Sequence, residues 1–496
     1  MEGALNWAIL LRFDDDIQWI FRSPKTKYAL NNDTAYQLLA SEAATLKYIR
    51  EKTHIPVPEI YSYCATSENE IGIPYILMSK ATGHHLSTYD WQTHDLSYPS
   101  RVNSRGPGRL LKLNEKQKIM SQLGNYLSQL SRLRFNTIGS LFEEEGARFG
   151  IRECLSPSFV LQGRESIKNV PRGPFQNEED YYLSLVSVLL AHSEQLEMGH
   201  HVLFAPVPCP QEYSNFAKYY IAQQRWNDYI AVGDKAESSQ NRLHYSIIGM
   251  FIRDQVIPYL TRRDDAQKSG FPLCHHDLST QNIFVDDEFN ITCIIDWAFC
   301  STVPNSQLLS TPGLPHPRDL LADQALIGAF RSAFEEECSR FQSIRPSKQD
   351  WKTGDMLSYL IRLVNFDALQ DFYHLEALYQ LTTGAAKDAN LRATLVSIST
   401  ESEARLLSAA LAEDDEPENK ARLLENKYFS AVGEERRGLA RYISFISQFN
   451  PLFVADKRLW RWIDETGRSP TTEIILPGNL NGHKSAQPDS LKRSIR

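Results

Sequence analysis

The chain of 496 residues has no apolar run long enough to cross a membrane, and its opening, MEGALNWAILLRFDDD, has neither a basic leader nor an Arg-rich, acid-poor composition. A cytoplasmic location is therefore expected, with a mitochondrial one as the alternative. Basic residues are in deficit: the net charge of −8 argues against a general binder of nucleic acid or of anionic membranes, whose affinity comes from basic surface. An anionic nucleotide would need local help from a few cations. Cysteine is scarce, and its number, seven, is odd, with no C-x-x-C pair. That composition suits reduced, buried thiols and not a disulfide framework or a zinc site. The doublets His84-His85, His200-His201 and His275-His276 lack the i,i+4 spacing of helical metal ligands and read as loop residues. There is no internal repeat, and nothing in the composition fixes an oligomeric state.

What is present centres on residues 273–304, LCHHDLSTQNIFVDDEFNITCIIDWAFCSTVP. Ile283 to Val285 and Ile291 to Ile295 are short β-branched and aromatic runs, and Asp286 to Asn290 has the length and polarity of a hairpin loop. A hairpin brings its two ends together, so Asn282 and Asp296 are expected side by side, with Asp277 in a loop five residues upstream. One amide oxygen and one carboxylate suit Mg2+, which takes one or two protein oxygens along with phosphate oxygens and water. A neighbouring carboxylate, Asp277, can orient a hydroxyl and accept its proton for attack on a γ-phosphate. The pattern His275-x-Asp277-x4-Asn282 is weak by itself, because Asp and Asn are common turn residues. The hairpin and a second Asp at the right spacing strengthen it.

Upstream, residues 5–13 and 17–22 read as two strands joined at Asp14-Asp15-Asp16, with Gly3 and Asn6 at the entrance to the first. Ser41 to Lys52 reads as a helix capped by Ser41, with Glu42 a candidate partner for a cation on the second strand. Ile55-Pro56-Val57-Pro58 breaks that helix ahead of strands at 59–65 and 75–78. Met78, Ser79 and Ala81 fall where the chain crosses into a second lobe. Helical spacing follows at 114–133, 178–197 and 241–260, the segment 199–220 is too irregular to assign, and helices continue to about 449. EDDEPE at 413–418 reads as a solvated loop.

A small mixed region with a five-stranded type of sheet pattern, followed by a long helical part, gives an expected α+β fold: bilobal and protein-kinase-like, with a β-rich N-lobe, a larger mostly helical C-lobe and a helical C-terminal extension. The expected divisions are 1–82 (nucleotide-binding N-lobe, short at its start), 83–330 (C-lobe with catalytic and metal loops), 331–475 (helical extension) and 476–496 (a polar tail expected to be disordered). On SEAATLKYIREKTHIPVPEIYSYCATSENEIGIPYILM at 41–78, SRLRFNTIGSLF at 131–142, CHHDLSTQNIFVD and IIDW, the chain resembles the phosphotransferase enzyme family of aminoglycoside phosphotransferases and choline kinases, in its fungal-type branch.

The resemblance implies ATP and Mg2+ as cofactors and an unidentified small-molecule hydroxyl as acceptor. It makes Asp277 the catalytic carboxylate, Asn282 and Asp296 the metal ligands, and Met78 to Ala81 the crossover that meets adenine. It puts Arg22 where the family often carries a nucleotide-binding lysine, with Glu42 as its helix partner; the alternative is a half-exposed salt bridge. Two departures stand out. Gly3 is the one glycine of the phosphate loop, and Asp296 is followed by Trp297-Ala298 instead of Phe-Gly, with no Ala-Pro-Glu segment at protein-kinase spacing. The second departure favours a small-molecule kinase over a protein kinase. The first leaves a rival reading, a catalytically weak kinase homologue that binds nucleotide or a partner protein.

Overall fold

Four strands rich in β-branched and aromatic residues form the first element of the computed structural model, which describes residues 5–25, 30–91, 109–146, 148–209, 212–261, 270–315, 323–367, 370–384, 391–413 and 418–467. They are β1 (Asn6–Arg12), β2 (Gln18–Pro24), β3 (Ile60–Cys64) and β4 (Tyr75–Ser79), antiparallel throughout in the order β1-β2-β4-β3. Among the described residues the sheet has four strands, each where the sequence placed one. Helix α1 (Asn32–Lys52) lies against it, burying Leu39 and Ala43 on Ile76 and Met78. It begins nine positions before Ser41. Asn31 is the cap, its side chain accepting from the Thr34 N–H at 2.8 Å, and Ser41 is buried mid-helix.

The two lobes are tied at several points. Lys47 on α1 pairs with Glu143 at 2.7 Å, and Tyr63 of β3 donates to the same carboxylate at 3.0 Å. Gly83 carries the chain across with φ +85°, and a Cβ there would lie 2.4 Å from the Val285 carbonyl oxygen. Only glycine fits so close an approach. His84 and His85 then form a short strand, β5, so this doublet is sheet and not loop.

The larger lobe is mostly helical. Helix α2 (Leu113–Leu130) packs along the helix Gln324–Arg340 so tightly that a Cβ on Gly124 would meet the Phe330 carbonyl oxygen at 2.2 Å. The hairpin β6 (Ser140–Glu144) and β7 (Arg148–Arg152) follows α2, and helices Glu178–Gln195, Ser239–Phe251 and Lys348–Asn365 build the main apolar core. The expected boundary at 330 falls inside a helix, and the main apolar core takes in residues as far along the chain as Ala455. The irregular segment 199–220 ends in a helix, Phe216–Ala231, which packs on the helices Glu434–Phe449 and Leu459–Gly467 around Trp226, Tyr229 and Trp460. Gly3, most of EDDEPE and the 476–496 tail lie outside the described residues. Among the described residues no helix is long and apolar enough to cross a membrane. All seven cysteines are free, with Cys154, Cys293, Cys300 and Cys338 buried.

One buried polar cluster sets a pH dependence. Arg164, 1% exposed, donates from Nε to His192 Nδ1 at 3.1 Å, and His192 Nε2–H donates to the Glu197 carbonyl at 3.1 Å. That pattern needs a neutral imidazole, and burial, aided by the arginine's charge, holds His192 down to about 3. The unfolded chain therefore takes up a proton below the ordinary histidine value that the folded chain refuses. Stability from this group is complete above about pH 6.5 and falls as the pH drops. Between pH 7 and pH 5 the native chain is expected to lose about 2 kcal/mol more than a His192→Gln variant, by denaturant unfolding at both pH values. Parallel losses in the two proteins would exclude a neutral His192.

Candidate active site

The hairpin read from the sequence is present: β9 (Ile283–Val285) pairs antiparallel with β10 (Ile291–Ile294), while β8 (Leu273–Cys274) leads into the loop before it. Its turn is held by Asp286, whose Oδ1 accepts from the Glu288 and Asn290 N–H groups at 3.0 and 2.8 Å. Closure at the other end comes from Ile295 N–H donating to the Asn282 carbonyl at 2.9 Å, which brings Asn282 and Asp296 together. The Asn282 amide donates through Nδ2 to the Asp277 carbonyl oxygen at 2.9 Å and to Asp277 Oδ2 at 3.0 Å. A carboxylate accepts and does not donate, so this contact fixes the amide with its oxygen on the other side.

His275 ties this loop to the second strand of the hairpin. Its Nδ1 accepts from the Asp277 N–H at 3.1 Å and its Nε2–H donates to the Ile295 carbonyl at 3.0 Å, with the ring edge-on to Trp297 at 4.6 Å. Burial lowers its proton affinity, in keeping with this neutral tautomer. Asp296 has φ +66°, a left-handed conformation uncommon for a residue with a side chain. Such strain persists where the surroundings over-determine it, and here bonds on both sides do so.

From the sheet above, Arg22 on β2 forms an ion pair with Glu42 of α1 and lies 3.7 Å from Asp296. The Arg22 and Glu42 side chains are 13% and 2% exposed, so the pair is buried and not half-exposed. Burial pulls Arg22 below its ordinary value, and Asp296 works the other way. Removing one partner of a buried pair leaves the other charge uncompensated. Arg22→Ala is therefore expected to cost about 3–5 kcal/mol by denaturant unfolding, far above the ~0–1 kcal/mol of a surface pair. A loss under 1 kcal/mol would put the pair in solvent.

The remaining expected positions sit at the edge between the lobes. Asn6 begins β1 and lines a small cavity with Arg22 and Glu42. Met78 is buried in β4 between Ile20 and Ile60. The Ser79 N–H is committed to the Glu59 carbonyl at 2.8 Å, whereas the Ala81 N–H makes no hydrogen bond among the described residues. Sequence reasoning passed over a cavity of about 110 Å3 lined by His275, His276 and Leu278, which flank Asp277 in the chain, together with Arg362, Asn365 and Asp367. No periodicity or motif marks Asp367. It enters through tertiary packing.

The Asn282 oxygen and the Asp296 carboxylate are an all-oxygen pair, and no cluster of three or more His, Cys, Asp or Glu suited to a metal occurs among the described residues. Such a pair fits Mg2+ carried in with phosphate oxygens and does not fit a thiolate or imidazole metal.

No family model matches the chain. Among curated proteins it is similar to a subtelomeric hrmA-associated cluster protein of Aspergillus fumigatus, 26% identical over 334 residues, covering 64% of this chain and 59% of that protein. It is also similar to the altered inheritance of mitochondria protein 9, mitochondrial, of Lachancea thermotolerans, 28% identical over 169 residues, covering 34% of this chain and 25% of that one. The matched region thus spans less than two thirds of these relatives' length. Among solved structures it is similar to a macrolide 2'-phosphotransferase of Brachybacterium faecium, at 14% identity and TM-score 0.37, over 84% of this chain and 90% of that one. A putative fructosamine-3-kinase of Thermobifida fusca matches at 12% identity and TM-score 0.36, over 80% and 91%.

Proposed function

We propose that the chain is a phosphotransferase that uses ATP and Mg2+ to phosphorylate a hydroxyl of a small molecule. The observation that carries this reading is the bonded pair of Asp277 and Asn282, with Asp296 brought beside it by the Ile295–Asn282 backbone bond and faced by Arg22 of the sheet, itself paired with Glu42 of α1. Asp277 orients the acceptor hydroxyl and takes its proton as the oxygen attacks the γ-phosphorus. The new P–O bond forms as the bond to the β-phosphate oxygen breaks, and ADP leaves. Asn282 and Asp296 would hold Mg2+, which when bound neutralises charge developing on the phosphates. Arg22, kept in place by Glu42, reaches toward the same phosphates as a guanidinium that can contact two oxygens at once. The Ala81 amide offers a hydrogen bond to a base lodged at the crossover. Residues 1–82 would form the nucleotide-binding lobe, with the acceptor taken from the helical side.

Arg22 also favours a second reading, a weak homologue that binds nucleotide without turnover, because an Arg committed to Glu42 does not substitute freely for a lysine. Thermal unfolding with and without millimolar Mg-ATP, followed by ATP turnover on a panel of small alcohols, separates the two. A ligand at 100 times its dissociation constant stabilises by about 2.7 kcal/mol, so a clear rise in Tm is expected. Turnover on any alcohol supports the enzyme, a shift without turnover supports the homologue, and an unchanged Tm removes both.

A further inference from the structure

Helix α1 is divided between the two lobes. Leu39 and Ala43 pack on the sheet, whereas Leu38 joins the main apolar core of the helical lobe, and Leu46 and Ile49 join a second core built around α2 and the β9–β10 hairpin. At its start the Asn31 N–H donates to Glu165 Oε1 of the helical lobe at 2.8 Å. Just past its end the His54 N–H donates to Gln129 Oε1 of α2 at 2.8 Å. The helix that carries Glu42 is thus anchored to the helical lobe at both ends. Arg22 belongs to the sheet, so its place beside Asp296 depends on how the sheet is held over that helix.

The register of the sheet shows where the grip falls. Arg22 of β2 and Tyr63 of β3 are both paired with Ile76 of β4, so the three form one row across the sheet on the face turned to α1. At a strand spacing of ~4.8 Å, Arg22 and Tyr63 are about 10 Å apart along that row. Glu42 holds one end through its ion pair with Arg22. Glu143 of β6 holds the other: its Oε2 accepts from the Tyr63 hydroxyl at 3.0 Å and from Lys47 Nζ, on the same helix as Glu42, at 2.7 Å. Lys47 in turn lies over the Tyr63 ring, 4.8 Å from its centre. The Lys47 ammonium holds the Glu143 carboxyl below its ordinary value, so it is ionised at neutral pH. Burial, together with Glu143, pushes Tyr63 up to about 12, so its hydroxyl stays a donor. The strand β6 is itself tied to the segment that follows Asp296. The Gly139 N–H, just ahead of β6, donates to Thr302 Oγ1 at 2.8 Å, the Thr302 N–H donates to the Gly139 carbonyl at 2.8 Å, and Ser140 Oγ donates to the Cys300 carbonyl at 3.3 Å.

We propose that Glu143 is a positioning residue for the nucleotide phosphates, fixing the sheet on the helical lobe so that Arg22 meets the phosphates held at Asp296. The proposal rests on the phosphotransferase reading. The contacts close a ring that runs from Arg22 through Glu42, α1, Lys47, Glu143 and Tyr63 and back across the sheet to Arg22. Through Glu143 that ring reaches the segment that carries Asp296. A connected polar network holds geometry more firmly than its separate pairs. Without Glu143 the sheet spends less time with Arg22 in register, and the apparent dissociation constant of a phosphate-bearing ligand rises by the inverse of that fraction. A ligand without phosphates does not draw on Arg22 and escapes the loss.

The test is calorimetric titration of the full chain with Mg-ATP and with adenosine, which has the base and sugar and no phosphate. Glu143→Gln keeps the shape of the side chain and loses the charge that holds two donors at one oxygen. Tyr63→Phe removes one of those donors and leaves the Lys47 pair intact. Each is expected to weaken Mg-ATP by roughly 3- to 10-fold, the effect of a modest hydrogen bond, and to leave adenosine within about twofold of the wild type. Glu59→Gln breaks the exposed pair with Arg50 of α1, 3.0 Å apart, without touching the helical lobe, and as the matched control is expected to change neither. Unchanged Mg-ATP affinity in Glu143→Gln overturns the proposal. So does an equal loss for Mg-ATP and adenosine, which is general loosening, or a loss in Glu59→Gln as large as that in Glu143→Gln. Tyr63→Phe decides by the same criteria if Glu143→Gln fails to fold. The wild type keeps the two failures apart: Mg-ATP binding with unaffected variants overturns the role of Glu143 alone, and no Mg-ATP binding overturns the phosphotransferase reading and this proposal with it.

Discussion

Asp277→Asn is expected to lower kcat by ~10²- to 10⁴-fold while leaving Tm and Mg-ATP affinity close to those of the native chain. The substitution keeps the volume of the side chain, and an amide oxygen can still accept from Asn282 Nδ2, the contact now made at 3.0 Å by Asp277 Oδ2. The backbone bonds that shape the loop, from Asp277 N–H to His275 and from Asn282 to the Asp277 carbonyl, do not involve the replaced group. What disappears is the proton acceptor. A loss confined to kcat means that the interaction belongs to the transition state. If Asp277 is instead a turn residue, the variant loses roughly 0.5–2 kcal/mol of stability with kcat nearly intact. Melting temperature and kcat measured on one preparation distinguish the two, and a destabilised, fully active variant would move the active site elsewhere.

The parts of this site that were legible in the sequence are those fixed by local chemistry. Alternating β-branched residues at 283–285 and 291–294 and an Asp and Asn able to hold the turn were enough to place Asn282 beside Asp296. The same local reasoning misread the start of α1, because Ser41 is a good capping residue in the abstract while Asn31, ten positions earlier, does the capping. The pairing of His84-His85 with β9 depends on a partner far along the chain. Phe366 and Asp367 were out of reach for a stronger reason. No residue preference predicts a phenylalanine in the left-handed region; here Arg164, His192, His201 and Tyr245, from four separate segments, close around one ring. The packing of the helix 216–231 on helices some two hundred residues later is likewise a tertiary fact without a local signal.

Asp296→Ala is expected to abolish Mg2+-dependent nucleotide binding, and Asn282→Ala to weaken it less. The difference follows from charge. A hard dication gains more from a full carboxylate than from an amide dipole, and Asp296 also lies 3.7 Å from Arg22, in the side chain's contact with the upper lobe. Losing that carboxylate removes both the metal's anionic ligand and a partner that favours the charged state of a buried guanidinium. Losing the Asn282 side chain removes one neutral oxygen and leaves the Asp277 and Asp296 carboxylates in place. The two variants should therefore separate in a titration of Mg2+ in the presence of ATP, Asp296→Ala giving no saturable binding and Asn282→Ala a weakened curve. The φ of +66° at Asp296 sharpens the test, because alanine must adopt the same left-handed conformation with no ligand to hold it there. Asp296→Asn, which keeps a short polar side chain tolerant of that conformation, is the control. If Asp296→Asn and Asp296→Ala both bind Mg2+ as the native chain does, Asp296 is not a metal ligand; if only Asp296→Ala fails, the loss came from the backbone and not from the missing charge.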